Sequence, residues 1–136
     1  MTTPPAADDS FRLAEGAALR REVRHPVEHL DVIETDTSDL AEVTFHCAEV
    51  ASMCPVTSQP DMSTITITYR PAGGRIVESK SLKLYLWGFR DRGVFCESMA
   101  QEIARRVRDD ARPESVEVEV VQSIRGGIVT TARARC

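Results

Sequence analysis

The chain has 136 residues, of which 42% are hydrophobic and 28% are charged, a composition typical of one soluble globular domain with a real core. Its formal charge of −4 argues against nucleic acid as a partner, because phosphate backbones require a basic surface. No apolar segment approaches membrane-spanning length, and the N-terminus lacks the apolar core of a signal peptide. The four cysteines lack Cys-x-x-Cys spacing, which favours free thiols in a cytoplasmic protein.

The N-terminal segment gives weak signals. Residues 1–10 are small, polar and proline-bearing, which predicts a disordered tail before a single domain over residues 11–136. The pattern from Leu13 to Arg24 permits a short helix that Pro26 would end.

The rest of the chain predicts strands and helices in a simple order. Alternating apolar and polar residues predict strands over residues 41–47, 64–69, 116–120 and 128–132. Met99, Ile103 and Val107 recur at helical spacing and predict a helix over residues 98–108, ended by Pro113. Residues 78–92 fit either element, because their leucines alternate as in a strand and also share a helix face with Tyr85 and Phe89.

A short polar loop with chemical potential runs from Cys54 to Asp61. Pro55 and Pro60 bracket it, and each proline fixes its own φ and extends the residue before it. Such a loop can hold a thiol and a carboxylate in a fixed relation. A structural turn with an incidental cysteine is the alternative that the residues alone leave open.

A second segment of interest runs from Glu78 to Tyr85. If it is helical, Lys80 and Lys83 lie three residues apart on one face and could meet phosphate oxygens at the helix start. The alternative is a solvated amphipathic helix with ordinary surface lysines.

Together the two segments resemble one family. Cys-Pro-x-Thr-x-Gln-Pro-Asp over residues 54–61, Glu-Ser-Lys-Ser-Leu-Lys-Leu-Tyr-Leu over 78–86, and the later Phe89-Arg90, Gly93, Phe95, Glu97 and Arg125-Gly126-Gly127 are similar to the short 7-cyano-7-deazaguanine reductases. These enzymes of the queuosine pathway reduce a nitrile to a primary amine with NADPH. The resemblance runs from about Phe45 to Gly127.

The resemblance implies an α+β tunnelling fold. In this fold an antiparallel four-stranded sheet carries two sequential helices between its hairpins, and the chains form rings with active sites at subunit interfaces. Residues 78–92 would then be helical. The expected partners are the small-molecule nitrile and further copies of this chain, with no nucleic acid and no membrane.

The resemblance also implies roles for individual residues. Cys54 would add to the nitrile carbon to give a thioimide, and Asp61 would protonate the nitrile nitrogen. The residues expected to hold the deazaguanine are Val77, Glu78, Ser79, Cys96 and Glu97. The residues expected to bind NADPH are Lys80, Lys83 and Arg125. The absence of a Gly-x-Gly-x-x-Gly motif fits a reductase without a Rossmann domain.

Three positions depart from the family pattern. Cys96 occupies the place of a histidine, Met62 that of an aromatic residue, and Ser58 that of a glycine. The change at Cys96 removes a hydrogen-bond donor and a titratable group beside the substrate.

A zinc site is the competing interpretation, because His46, Cys47 and Cys54 are residue types that bind this metal. His46 and Cys47 are neighbours on a predicted strand and should point to opposite faces, so the sequence predicts no metal site.

Two other functions stay open at this level. One is a sibling enzyme that captures the same nitrile but forms an amidine without NADPH. The other is a non-catalytic protein that binds a deazaguanine or a partner protein. Oxidation of NADPH in the presence of the nitrile separates the reductase from both.

Overall fold

The computed structural model describes residues 12–13 and 23–136. Its strands form two antiparallel sheets, and two helices follow one another along the chain. The strands are β1 (Arg12–Leu13), β2 (Val32–Glu34), β3 (Val43–Met53), β4 (Pro60–Arg70), β5 (Arg75–Val77), β6 (Ser115–Arg125) and β7 (Ile128–Arg135). The helices are α1 (Ser79–Trp87) and α2 (Cys96–Ala111).

The larger sheet has the strand order β3-β4-β6-β7 and is antiparallel throughout. The predicted alternation is confirmed on β4, where Ile65, Ile67 and Tyr69 are buried while the threonines between them are only partly covered. Val118 and Val120 of β6 complete the buried face. The hairpins β3–β4 and β6–β7 therefore flank the two helices in sequence, which confirms the α+β class.

Helix α2 covers the buried face of this sheet. Met99, Ile103 and Val107 are each at most 1% exposed, which confirms the predicted apolar stripe. The helix ends where Arg112 adopts a left-handed conformation (φ 45°), because Pro113 disfavours a helical residue before it.

Residues 79–87 of the ambiguous segment form helix α1, whereas residues 88–92 are not helical, so the helix expected over 78–92 is too long at its C-terminal end. Both carboxylate oxygens of Glu78 cap its N-terminus, with distances of 2.6 Å to the backbone nitrogen of Lys80 and 2.7 Å to that of Ser81. Tyr85 and Phe89 are buried together, with their rings in edge-to-face contact at 5.6 Å. A helical face therefore explains this segment better than the strand pattern does.

The second sheet, β1-β2-β5, was not predicted. Leu13 lies in a strand, and Val23 and Arg24 are not helical, so the helix predicted over residues 13–24 is wrong at its described ends. Its middle and the predicted tail over residues 1–10 lie outside the described residues. The domain bounds stay a prediction. Neither α1 nor α2 is long and apolar enough to cross a membrane.

Candidate active site

Cys54 begins the loop that joins β3 to β4. Its backbone N–H donates to the carbonyl of Gln59 (2.8 Å), and its own carbonyl accepts from the N–H of Ser58 (2.9 Å). Ser58 has a φ of 57°, in the left-handed region that a residue with a side chain rarely adopts. This conformation explains why glycine suits the position, since glycine adopts it without a steric cost.

The loop lowers the pKa of the Cys54 thiol. Hydrogen bonds from the Thr57 side chain, from the backbone of Thr57 and Val56, and from Arg125 bring this pKa from 9.0 to about 7. About half of the thiol is therefore ionised at neutral pH, as nucleophilic chemistry requires. Thr57 had no role predicted from the sequence, although it is part of the matched segment.

Asp61, the second residue of β4, is linked to this thiol through Arg125 and is only 4% exposed. Its two oxygens have different partners. Arg125 donates through Nη1 to Oδ1 (2.9 Å), and Gln122 donates through Nε2 to Oδ2 (3.2 Å). The guanidinium of Arg125 thus contacts both the thiol and the carboxylate, although this arginine was expected at the cofactor.

The start of α2 is fixed beside the same loop. The backbone of Met53 donates to the carbonyl of Arg92 (2.9 Å) and accepts from the N–H of Val94 (3.2 Å). Gly93, between them, lies so close to the loop that an added Cβ would be 3.3 Å from the Cα of Pro55. This backbone pairing brings Cys96 and Glu97 to the candidate site.

Cys96 differs sharply from Cys54 in its electrostatics. It is 3% exposed, and its Sγ donates to Oε2 of Glu97 at 3.5 Å. Burial, followed by the hydrogen bond to Glu97 and the charge of Glu97, raises the pKa of Cys96 to about 11. Cys96 is therefore a neutral thiol at physiological pH, while the Glu97 side chain next to it belongs to an exposed residue.

The residues Val77, Glu78 and Ser79 lie at the junction of β5 and α1. Glu78 is buried and its carboxylate is already used as the helix cap. Val77 is also buried, and its N–H donates to the hydroxyl of Tyr69 (2.9 Å). Arg125 links Cys54 with Asp61, and the backbone pairing of Met53 with Arg92 and Val94 holds the segment before Cys96 and Glu97 against the Cys54 strand. None of these contacts includes Val77, Glu78 or Ser79.

A groove of about 450 Å³ runs between α1 and β3. Ser79, Lys83 and Arg90 supply polar and cationic groups to it, while Leu82 and Trp87 are among its apolar walls. Lys80 is half-buried at the start of the same helix. These side chains fit part of a dinucleotide, because cations can meet phosphates while apolar walls meet a ring.

The described residues contain no group of three or more His, Cys, Asp and Glu side chains that could hold a metal ion. His46 is exposed and bonded to Thr66 (3.1 Å), whereas Cys47 is partly buried and packs against the core. The predicted opposite orientation of these neighbours is therefore confirmed. Burial raises the pKa of the Cys47 thiol, which makes it a weaker ligand.

These features define a class of protein: a thiol enzyme of the α+β type, with an activated cysteine, a buried carboxylate and an arginine between them. The family described as "QueF-like protein" matches residues 60–136. NADPH-dependent 7-cyano-7-deazaguanine reductases are similar over much of the chain. The protein from Anaeromyxobacter sp. (strain Fw109-5) is 46% identical over 94 residues, covering 69% of this chain and 76% of its own length. That from Frankia casuarinae is 45% identical over 97 residues, covering 71% and 75%.

A solved structure shares the fold. The apo crystal structure of an archaeosine synthase described as QueF-Like aligns with a TM-score of 0.61 and 21% identity, covering 70% of this chain and 90% of that one. The chain therefore belongs to the QueF-like family, with the 7-cyano-7-deazaguanine reductases as relatives, and the resemblance stated from the sequence is confirmed.

Proposed function

We propose that this protein is an NADPH-dependent 7-cyano-7-deazaguanine reductase, which converts the nitrile of that base to the primary amine of 7-aminomethyl-7-deazaguanine. This reaction belongs to queuosine and 7-deazapurine biosynthesis. The observation that carries the proposal is the thiol of Cys54, whose pKa is lowered to about 7 and which Arg125 links to the buried Asp61, in a chain whose relatives bear the reductase name.

Cys54 acts as the nucleophile. Its thiolate adds to the electrophilic nitrile carbon, a C–S bond forms, and one π bond of the nitrile breaks to leave a thioimide. The electron pair moves to nitrogen, which takes a proton from Asp61. The step requires Asp61 to carry that proton when the nitrile is bound, and Gln122 and Arg125 hold the carboxyl group in place.

NADPH, when bound, would supply hydride to the captured carbon. Conversion of a nitrile to a primary amine takes two hydrides and two protons, and the C–S bond breaks after the first hydride is added, which returns the thiol of Cys54. Lys83 and Arg90 would meet the phosphates of NADPH from the groove beside α1, and Lys80 lies in the first turn of the same helix. Because the groove measures about 450 Å³, it accommodates one end of the dinucleotide while the rest extends over the surface.

Carboxylates from two parts of the chain, Glu97 and Glu78, would hold the deazaguanine base. Glu97 is exposed next to the thiol site and can accept from adjacent N–H and amino donors of a guanine-like edge. Glu78 already accepts two backbone N–H groups, but a carboxylate has further lone pairs for a ligand. Val77, Ser79 and Cys96 would line the rest of the base site.

The protein adopts the tunnelling fold and assembles into a ring in which neighbouring subunits complete each active site. Two observations support this assembly. Among the described strands, β3 and β7 are the outer members of the larger sheet, and their edges suit pairing with another copy. Ile124, Ile128 and Val129, on the β6–β7 hairpin, are apolar side chains that are 56–68% exposed. Native mass spectrometry should therefore detect a closed oligomer, and a monomer at working concentration would contradict it.

The expected location is the cytoplasm. All four cysteines are unpaired thiols, which suits a reducing compartment where NADPH is available.

One assay tests the function. The protein is mixed with the nitrile base and NADPH, and the absorbance of NADPH is followed while the product is identified by mass. Oxidation with formation of the amine supports the proposal. An amidine without oxidation would identify the amidine-forming activity instead, and binding without turnover would identify a non-catalytic protein.

A second measurement tests the nucleophile. With the nitrile alone, the intact mass should rise by one substrate mass, and Cys54→Ala should lose this adduct. Asp61→Asn should slow adduct formation without loss of the fold, because a carboxamide cannot serve as the acid. An undiminished adduct on Cys54→Ala would contradict the assignment of the nucleophile.

A further inference from the structure

Gln122 joins two members of the site, and no role has so far been assigned to it. Its side-chain Nε2 donates to Oδ2 of Asp61 (3.2 Å), and its Oε1 accepts from Nη2 of Arg125 (2.7 Å). Arg125 in turn donates through Nη1 to Oδ1 of Asp61 (2.9 Å). The three side chains form a closed ring of hydrogen bonds. In it the amide of Gln122 donates to the Asp61 carboxylate and accepts from the Arg125 guanidinium.

The strands explain how the ring forms. Ser63 of β4 lies opposite Gln122 of β6, so Asp61, two residues away on the same face, is its diagonal neighbour. Gln122 and Arg125 are three positions apart, and in a regular strand they would point to opposite faces. The pairing of β6 with β7 shifts register between these two residues, which allows both side chains to reach Asp61.

Burial of the Gln122 amide would destabilise the fold if its polar atoms made no hydrogen bonds. Gln122 is 5% exposed and follows Val116, Val118 and Val120 on the buried face of β6. A buried amide needs hydrogen-bond partners, and here both partners are members of the candidate active site. An apolar residue would continue the core at this place without any such requirement.

We propose that Gln122 is a positioning residue, which holds the Asp61 carboxyl group and the Arg125 guanidinium in fixed orientations beside Cys54. The catalytic part of this inference rests on the proposed nitrile reduction. Arg125 is half-exposed, and its described partners on this face are Asp61 and Gln122. Without the amide it loses one of these two contacts, so it can move away from the thiol. Asp61 would then lose the contact that fixes Oδ2.

Two variants test the role. Gln122→Met preserves the length of the side chain and removes both hydrogen bonds. Gln122→Glu preserves the acceptor for Arg125 but places a second negative charge against Asp61. When the introduced carboxyl group is protonated, it can again donate to Asp61 and accept from Arg125. The Gln122→Glu variant should therefore recover activity relative to Gln122→Met as the pH falls.

The first readout needs no substrate. Alkylation of Cys54 by iodoacetamide is followed against pH by peptide mass spectrometry. The groups that act on this thiol are the side chain and backbone of Thr57, the backbone of Val56, and Arg125 from β6. Arg125 is also paired with Asp61 of β4 and acts on Cys96 of α2. In Gln122→Met the midpoint should lie above its wild-type value of about 7, because the cation is released. The rise should be small, because Arg125 is the weakest of the groups that lower this pKa. An unchanged midpoint together with a wild-type kcat would show that Gln122 does not hold Arg125 beside the thiol.

The second readout is turnover. Loss of a hydrogen bond to a charged group lowers kcat by about 10- to 150-fold, with a much smaller change in KM for the nitrile. If wild-type protein lacks reductase activity, the proposed function fails while the alkylation measurement still tests Gln122. If Gln122→Met melts below the assay temperature, Gln122→Glu supplies the comparison. Wild-type values of both the midpoint and kcat in a folded variant would overturn the proposal.

Discussion

The lowered pKa of Cys54 can be tested by removing its largest cause. The hydroxyl of Thr57 donates to the thiolate and also accepts from the N–H of Gln59 at 3.4 Å, so it links the thiol to the loop backbone. Thr57→Val keeps the shape of this side chain and removes the hydroxyl. Because the hydroxyl stabilises the charged form of sulfur, its loss must raise the pKa of Cys54.

The loss of thiolate in Thr57→Val is bounded by two values of the Cys54 pKa, the lowered one and the ordinary one. With a pKa of about 7, half of Cys54 is ionised at pH 7, whereas with the ordinary value of 9.0 the ionised fraction is about 1%. Loss of the whole shift would thus reduce the thiolate about 50-fold at pH 7. Thr57→Val should lose part of this range, since the backbone N–H groups of Val56 and Thr57 still contribute.

The assay is the rate of Cys54 alkylation between pH 5 and 10, read on the Cys54 peptide so that the exposed Cys136 does not interfere. Thr57→Ser retains a hydroxyl and should behave like wild type. Thr44→Val makes the same chemical change on an exposed strand position and should leave the midpoint unchanged. A Thr57→Val midpoint equal to that of wild type would refute the reasoning, because the loop would then activate the thiol without this hydroxyl.

Two further predictions concern the cofactor and the geometry of the loop. Changing Lys80 and Lys83 to Gln should raise the KM for NADPH by about 10- to 150-fold, because a charged phosphate contact is lost. The KM for the nitrile should rise far less. Equal changes in both KM values would assign the lysines a structural role. Gly93→Ala should lower kcat and the melting temperature together, because its Cβ would lie 3.3 Å from the Cα of Pro55 and displace the Cys54 loop. Steady-state kinetics and thermal melting check both, and wild-type turnover in Gly93→Ala would show that the loop yields without loss of function.

Elements with strong periodicity could be predicted, and those without it could not. The stripe formed by Met99, Ile103 and Val107 recurs over three turns, long enough for a helical period to stand out. The strands of the smaller sheet have two or three residues each, too few to show any alternation. For α1, the leucine pattern left helix and strand open, and the Glu78 cap gave no signal, because glutamate is not among the residues preferred at an N-cap.

The candidate site shows the same division. Motif resemblance pointed to Cys54 and Asp61, and in the fold Arg125 interacts with both. The position of Arg125 depends on a register shift within the β6–β7 hairpin, and nothing in the residue types indicates that shift. Gln122 did leave a signal, because it continues the alternation of Val116, Val118 and Val120 as a polar residue on an apolar face. Such a residue predicts a buried polar contact even when its partner is unknown.

The last prediction concerns Cys96, which replaces a histidine of the family pattern. A disulfide with Cys54 would require the Cys96 thiolate to attack oxidised Cys54. Because the pKa of Cys96 is raised to about 11, only about one molecule in 10,000 carries that thiolate at pH 7. Cys96 should therefore act as a small buried filler, and mild peroxide should convert Cys54 to sulfinic acid instead of a disulfide. Non-reducing peptide mapping decides this, since a Cys54–Cys96 peptide pair with activity restored by dithiothreitol would contradict the prediction. Raising the pH towards 11 should increase the yield of the Cys54–Cys96 disulfide, because the Cys96 thiolate becomes populated only there. A yield that does not depend on pH would show that ionisation of Cys96 does not control the exchange.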